Sequence, residues 1–586
     1  MPWRNTSQPL LPDQLKSEAN DDYTIYPYFE LGNGSVKQGY LSLANYIKAF
    51  KNVIIEGYHG VFWQDQIAAI TEELKNLGLS VKWYHTDDYL LPEHEIEAKV
   101  QPFLNGEEDI WGTKCTLGLE DFYRITDLKE TNSDSNFDIN IVIGPCASAV
   151  GWDAPVIYFE IPKNEIQYRA RANAINNLGT NAQKSYQNTY KRMYFVDWTV
   201  LNKHKQKICR NINIIADCQW KNSINWATTD MIYSGLEQMS KSVFRVRPWF
   251  EAGAWGGQWM KNNLKGLVAD EVNYAWSFEL IVPENGLVFA SNGNLLEVSF
   301  DFLMFLFSGN VLGKDAERFG TEFPIRFDFL DTIKGGNLSI QCHPSLSYIQ
   351  NNFGEKITQD ETYYILDCEK DAGVYLGFQQ NIDAQLLKEV LSESHKNNVP
   401  LDIEQYVQYH PAKKHDLFLI PNGTVHSAAA GNLVLEISAT PYIFTFKMYD
   451  WLRPGLDGKL RPLNIDHAFN NLNFDRKGAV VQQELISKPV CIEEGIDWQI
   501  IHLPTHQEHF YDVHRLEFKT SITIKTNNQC HILMLVEGSS VALTTMDGTN
   551  TTYHYAETFV IPAAAKQYKL TNTGEQPLKI IKAFIK

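Results

Sequence analysis

The stretch Asn337-Leu-Ser-Ile-Gln-Cys-His-Pro344 decides the fold of the second half of the chain. Side chains alternate between the two faces of a β-strand, so Ser339, Gln341 and His343 project together while Leu338, Ile340 and Cys342 face the other way. One face offers metal-binding atoms and the other belongs to a core. Pro344 cannot donate to a ladder, so it ends the strand and leaves His343 at the rim. Gln359-Asp-Glu361 and Ile420-Pro-Asn-Gly-Thr-Val-His426 follow, each beside an apolar run. Together they read as a metal site inside a β-barrel.

Outward from this stretch, residues from 241 onward alternate short strands with Gly, Pro and Asn turns, the rhythm of sandwiches and barrels. Strands are predicted over 243–250, 275–281, 286–290, 325–330 and 338–343, and a helix over 294–309. The aromatic cluster Pro248-Trp-Phe250 reads as core. Residues 478–586 repeat the pattern without the metal residues: Glu557-Thr-Phe-Val-Ile-Pro562 echoes Asp416-Leu-Phe-Leu-Ile-Pro421. The expected organisation is a metal-binding catalytic barrel over 241–477 and a second, metal-free copy over 478–586.

The first half has a different rhythm. A polar arm and a hairpin turning at Gly32-Asn-Gly34 are expected within 1–50. An apolar strand at 51–57, a helix-period segment at 64–77 and a strand at 79–84 form a βαβ unit, which implies a parallel sheet. Further strands are predicted at 139–143 and 155–160, and a helix over 164–178 carrying Arg169 and Arg171. This α/β unit, 51–240, resembles the uridine-kinase-like branch of the P-loop proteins. Gly57-Tyr-His-Gly60 stands where a phosphate loop would, and His85-Thr-Asp-Asp-Tyr89 resembles the acidic element after the second strand. A working loop needs a lysine for the phosphates and a hydroxyl for magnesium. Gly57-Tyr-His-Gly-Val-Phe-Trp-Gln64 has neither, so the resemblance implies a degenerate domain kept for packing or regulation, and opposes active kinase chemistry.

At 586 residues the chain exceeds one core, and its 44% hydrophobic and 21% charged content is that of a globular protein rather than a disordered one. The formal charge of −18 opposes binding to nucleic acid, which needs clustered Lys and Arg. Met1 to Gln8 lacks an apolar signal core and no run is long enough to span a bilayer, so a cytoplasmic location without membrane partners is expected. The eight cysteines contain no CxxC pair and read as reduced, mostly buried thiols. The sequence sets no oligomeric state.

A catalytic zinc accepts nitrogen and oxygen ligands and keeps one position open. Two histidines, a carboxylate and an amide oxygen suit such an ion, although each residue taken alone also has an ordinary structural reading. The order of Trp255-Gly-Gly257, Leu338-Ser-Ile-Gln-Cys-His-Pro344, Glu361 before Tyr363-Tyr-Ile-Leu-Asp-Cys368, Ile420-Pro-Asn-Gly-Thr-Val-His426, Leu433-Val-Leu-Glu436 and Tyr449-Asp-Trp-Leu-Arg453 resembles that of class I mannose-6-phosphate isomerases, especially their short bacterial form. The resemblance runs from residue 243 to the C-terminus. It implies two mainly-β cupin (jelly-roll) domains, zinc on Gln341, His343, Glu361 and His426, and Arg453 as the active-site arginine.

The implied reaction interconverts mannose 6-phosphate and fructose 6-phosphate through an enediol, which requires charge stabilisation and a positioned base. Glu436 is the candidate base, with a supporting role beside the metal as its other reading. Ser339 matches a phosphate-contacting serine, and Lys334 is a candidate compensating cation. Two positions depart from the family pattern: Ser345 replaces an Asp, and Gln359 replaces a substrate-holding Lys. Both favour the alternative of a non-catalytic sugar-phosphate sensor with the same pocket. His502, His506, His509 and His514 lie near a polar loop, where the resemblance implies no second metal.

Overall fold

The computed structural model describes residues 2–15 and 22–586, so the expectation for residues 1–50 falls partly outside the described residues. In the first half, the strands β1 (Asn52–Gly57), β2 (Val81–His85), β3 (Ile139–Ile143), β4 (Val156–Glu160) and β5 (Ile214–Asp217) run parallel, and β6 (Asn225–Thr228) closes one side antiparallel to β5. Their order is β6-β5-β4-β1-β3-β2, with the short strand Lys37–Gln38 outside β6. Apolar runs such as Ile139-Asn-Ile-Val-Ile143 suit strands covered on both faces, and β3 and β4 are buried along their whole length. The helix α1 (Trp63–Asn76) follows β1 after the loop at Tyr58–Phe62.

Three expectations for secondary structure change. Residues 23–38 form no hairpin: Phe29–Glu30 pairs with Gly286–Ser291, whereas Lys37–Gln38 pairs with β6, because the turn hands the chain from one sheet to another. The helix predicted over 164–178 is α2 (Lys163–Arg171), stopped where Asn173 adopts φ 53°. The helix predicted over 294–309 begins as a strand, Asn294–Ser299, paired with Gly286–Ser291. Asn292 and Gly293 both have positive φ and form the two-residue turn that suits an antiparallel hairpin. The helix is Asp301–Leu312.

Besides the hairpin of Gly286–Ser291 and Asn294–Ser299, two larger sheets build the central part. The six-stranded one contains β7 (Trp249–Glu251), β8 (Trp276–Leu280), β9 (Ile325–Asp331), β11 (Glu361–Cys368), β14 (Leu417–Ile420) and β16 (Asn432–Ala439), in the order β14-β11-β16-β9-β8-β7. The five-stranded one is β13-β12-β15-β10-β17, built from β10 (Ile340–Cys342), β12 (Gly373–Phe378), β13 (Val407–Pro411), β15 (His426–Ala428) and β17 (Phe446–Tyr449). From Val490 to Ile585 the chain forms a further six-stranded and a four-stranded antiparallel sheet.

One apolar cluster joins all three parts. It includes Tyr158 and Ile215 of the parallel sheet, Phe302 and Phe327 of the centre, and Val513 and Ile581 near the C-terminus. Across the first boundary Lys163 pairs with Asp301 at 3.1 Å, and Lys205 lies 3.2 Å from Glu160 and 3.6 Å from Asp301. Buried charges are tolerated only when paired in this way. Among the described residues no helix is long and apolar enough to cross a membrane, and all eight cysteines are unpaired.

Candidate metal centre

Two sheets bring the ligand atoms together. On the five-stranded sheet, Gln341 in β10 stands in register with His426 in β15 on one side and Lys447 in β17 on the other. His343 follows β10 directly, and Glu361 opens β11 in the opposing sheet. His343 and Glu361 are 1% exposed and His426 is fully buried.

Glu361 Oε2 lies 3.0 Å from His343 Nε2 and 3.5 Å from His426 Nε2. The facing atoms His343 Nε2 and Glu361 Oε2 are buried without a hydrogen-bond partner. The remaining ring nitrogens are occupied: His343 Nδ1 lies 3.0 Å from Phe444 O, and His426 Nδ1 lies 2.9 Å from Thr424 O. A backbone carbonyl can only accept, so each Nδ1 donates to it, which turns the Nε2 of each ring toward Glu361. Two ring nitrogens and a carboxylate oxygen converging in a buried place fit a divalent cation. His343, Glu361 and His426 place one ligand atom each within 4.8 Å of the others.

The carboxylate is held from behind. Glu361 Oε1 accepts from Gln359 Nε2 at 2.7 Å and from Arg326 Nη2 at 3.2 Å. Burial pushes the Glu361 carboxyl up, but the imidazoles of His343 and His426 outweigh it and hold the group well below the usual carboxylate range. Burial also lowers His426, keeping its imidazole neutral as a ligand requires. The Gln341 amide sits at the edge of this group: Ser339 Oγ donates to its Oε1 at 2.9 Å, and its Nε2 lies 3.3 Å from His426 Nε2. A half-turn of the amide exchanges oxygen for nitrogen toward the cation.

The centre opens into a cavity of about 370 Å³ lined by Ser339, Gln341, Gln359, Glu361 and Glu436. Glu436 is buried and paired with Arg326; burial, then the neighbouring Glu361, raise its carboxyl well above the usual range. Asp328, 3.2 Å from Arg326, is pushed up to about 7 by burial. The same cavity receives Lys447, lowered to about 8 by burial and then by the nearby Arg461. Arg461 forks onto Asp450, with Nη2 2.6 Å from Oδ1.

Two expected residues lie elsewhere. Arg453 pairs with Asp450 at 3.0 Å and lines a separate small recess, because Trp451 and Leu452 turn the chain through left-handed backbone. Lys334 is exposed on a turn with φ 57° and does not line the cavity. Ser345 also lies outside: its side chain accepts from the Tyr348 N–H and caps the helix α4 (Leu346–Phe353), a task Ser and Asp perform equally. Gln359 lines the cavity but is spent on Glu361 and on the Phe444 N–H.

Sequence reasoning missed Arg326, Lys447 and Arg461. Arg326 had a signal: in Ile325-Arg-Phe-Asp-Phe-Leu330 two charges share one face of an apolar strand. Trp249, expected in the core, lines the cavity while its neighbour Phe250 turns to the core, as strand alternation requires. His502, Asp512 and His514 gather on adjacent strands with ligand atoms within 4.8 Å, apart from His506 and His509.

Comparison with known proteins gives the following. Residues 39–241 match a family described as a domain of unknown function (DUF8485). The chain is 26% identical to "Mannose-6-phosphate isomerase ManA" of Bacillus subtilis over 39% of its own length and 67% of that protein's. It is 30% identical to "Probable mannose-6-phosphate isomerase GmuF" of the same organism over 25% of its length and 44% of that protein's. A solved mannose 6-phosphate isomerase from Bacillus subtilis aligns with a TM-score of 0.46 at 20% identity, covering 58% of this chain and 99% of that one.

Proposed function

We propose that the chain is a zinc-dependent aldose-ketose isomerase that interconverts mannose 6-phosphate and fructose 6-phosphate through an enediol. The observation that carries this reading is the convergence of two buried imidazole nitrogens on one carboxylate oxygen of Glu361, which itself lines the cavity. The names of the similar Bacillus proteins supply the reaction class.

In this reading His343, Glu361, His426 and Gln341 hold the ion, which when bound acts as a Lewis acid toward the sugar oxygens. Arg326 holds Glu361 and Glu436 in place and adds fixed positive charge. Glu436, facing the cavity, is the candidate base that carries the proton between adjacent carbons. Lys447 and Arg461 replace the cation missing at Gln359 and, with Ser339, anchor the phosphate by charge-assisted hydrogen bonds. The central and C-terminal sheets then correspond to two cupin domains at 241–477 and 478–586. The α/β unit at 51–240 corresponds to a kinase-like domain without phosphate chemistry, an arrangement of cytoplasmic metabolism.

Metal analysis of the purified protein, paired with a coupled assay for mannose 6-phosphate turnover with and without chelator, tests the proposal. The expected result is one zinc at this centre and turnover that chelator abolishes and zinc restores. Bound zinc with hexose-phosphate binding but no turnover would replace the enzyme by the sensor.

A further inference from the structure

The cavity over the metal centre is not closed by the β-sheets alone. Gln167 and Arg171 of α2 and Tyr190 of the helix α3 (Tyr186–Arg192) form part of its lining, although both helices belong to the α/β unit. Every residue of α2 from Lys163 to Ala170 is buried, which for so polar a helix requires partners on all sides. Those partners are present: Glu165 meets Arg4 at 2.8 Å, Lys163 meets Asp301, and the Arg169 guanidinium donates to the carbonyls of Gly60, Cys218 and Gln219. The helix is a fixed layer between the two halves.

At the cavity this layer meets two carboxylates of the central part. Arg171 Nη1 donates to both oxygens of Glu251, at 2.9 and 3.1 Å, and Gln167 Nε2 donates to Glu284. Tyr190 Oη lies 3.5 Å from Glu284 and 3.1 Å from Tyr442 Oη. Beside them the rings of Trp249 and Phe278 stack at 3.9 Å, and the buried Trp249 indole N–H has no hydrogen-bond partner.

We propose that the α/β unit is the specificity wall of this cavity: the Arg171–Glu251 and Gln167–Glu284 pairs bind the sugar hydroxyls remote from the reacting carbons, against the aromatic surface of Trp249 and Phe278. The inference rests on the isomerase reading and adds the role of the first half of the chain. A phosphate does not suit this wall, because Arg171, its one cation, is already matched by both oxygens of Glu251, and Glu284 adds a second acid. A hydroxyl suits it, since it can donate to a carboxylate and accept from a guanidinium or amide at once. Aromatic faces beside polar pairs match the alternating C–H and O–H edges of a sugar. Lys447 and Arg461 remain for the phosphate, so the two ends of the substrate meet chemically different ends of the cavity.

The test uses the full chain. R171M/E251Q removes both members of one pair and so leaves no orphaned buried charge; Q167L and the milder R171K, which keeps the charge but loses the fork, are made beside it. Turnover is measured with mannose 6-phosphate and with its 4-deoxy and 3-deoxy analogues, alongside zinc content and melting temperature. In the wild type a deoxy analogue is expected to lose roughly 10–100-fold in kcat/KM, as when a buried polar pair loses its partner. In R171M/E251Q or Q167L, mannose 6-phosphate is expected to fall by a similar factor while the deoxy analogue changes little, with zinc content unaltered. Variants that keep both kcat/KM and the discrimination of the wild type would overturn this inference alone. A wild type that holds zinc but neither binds nor turns over any hexose phosphate would overturn the isomerase reading and this role with it.

Discussion

Two recesses among the described residues differ in kind, and the larger of the two holds less chemistry. The cavity over His343, Glu361 and His426 measures about 370 Å³, whereas the crevice between the loop after β1, the segment after β2 and residues 174–181 measures about 720 Å³. The smaller recess is lined by Arg171, Arg326, Lys447 and Arg461 as well as carboxylates. The larger contains Asp65, Asp87 and Glu93 but neither Lys nor Arg. It lies beyond the carboxyl ends of parallel strands, where α/β sheets commonly bind ligands, yet an anionic phosphate chain would find no cation there. Volume marks where the chain leaves space; the placement of opposite charges marks where it can do work.

That contrast can be attacked from its strongest side first. H343A or H426A should lose the bound zinc and with it all measurable turnover, as read by metal analysis and the coupled assay; retained metal and activity would break the contrast. R326M leaves Glu361, Glu436 and Asp328 without their shared guanidinium, and breaking such a buried network should cost about 3–5 kcal/mol in a denaturant titration. K447M should raise KM for the sugar phosphate about 10–100-fold with a smaller change in kcat, as expected for a lost charge-assisted hydrogen bond.

A pH titration sharpens the same point. Burial pushes Glu284 up to about 7 from an ordinary 4.5, so the folded state holds an extra proton between those values. Its contribution is fully present below about pH 4.5 and declines as pH rises to 7, by roughly 1.4 kcal/mol per unit at most. In E284Q that part of the slope should vanish from stability curves measured between pH 4.5 and 7. Smallest of all, S345A should cost about 1 kcal/mol through its lost helix cap and leave KM unchanged. In the other recess, magnesium-ATP should give no shift in melting temperature; a saturable shift would show that the crevice binds nucleotide without a lysine.

The candidate ligands that the fold gathers were legible because strand alternation and local motifs place them. Ser339, Gln341 and His343 share a face by period alone, and Glu361 and His426 each abut an apolar strand. The parallel sheet was legible from buried runs such as Ile139 to Ile143. What could not be read was anything set by long-range closure. Arg461 and Arg453 both reach Asp450, and only the left-handed turn at Trp451 and Leu452 decides which faces the cavity. Gln167 and Arg171 lie more than 150 residues before the strand that holds Gln341, and no local pattern announces that they line one cavity with it. The strand at Asn294–Ser299 was hidden by the helical spacing of the residues after it, although the Asn292-Gly293 turn carries the hairpin signal that wins in the fold.

The ion pairs that join α2 to the central part also impose an order on synthesis. Lys163 leaves the ribosome 138 residues before its partner Asp301. At about 5–20 residues per second, the N-terminal half spends roughly 7–28 s with that ammonium unmatched. During that interval its apolar underside, including Tyr158 and Ile215, also awaits the segments that cover it. The nascent chain is therefore most exposed to aggregation and most dependent on chaperones just before residue 301 emerges, and a pause introduced there should lower yield more than one placed after it.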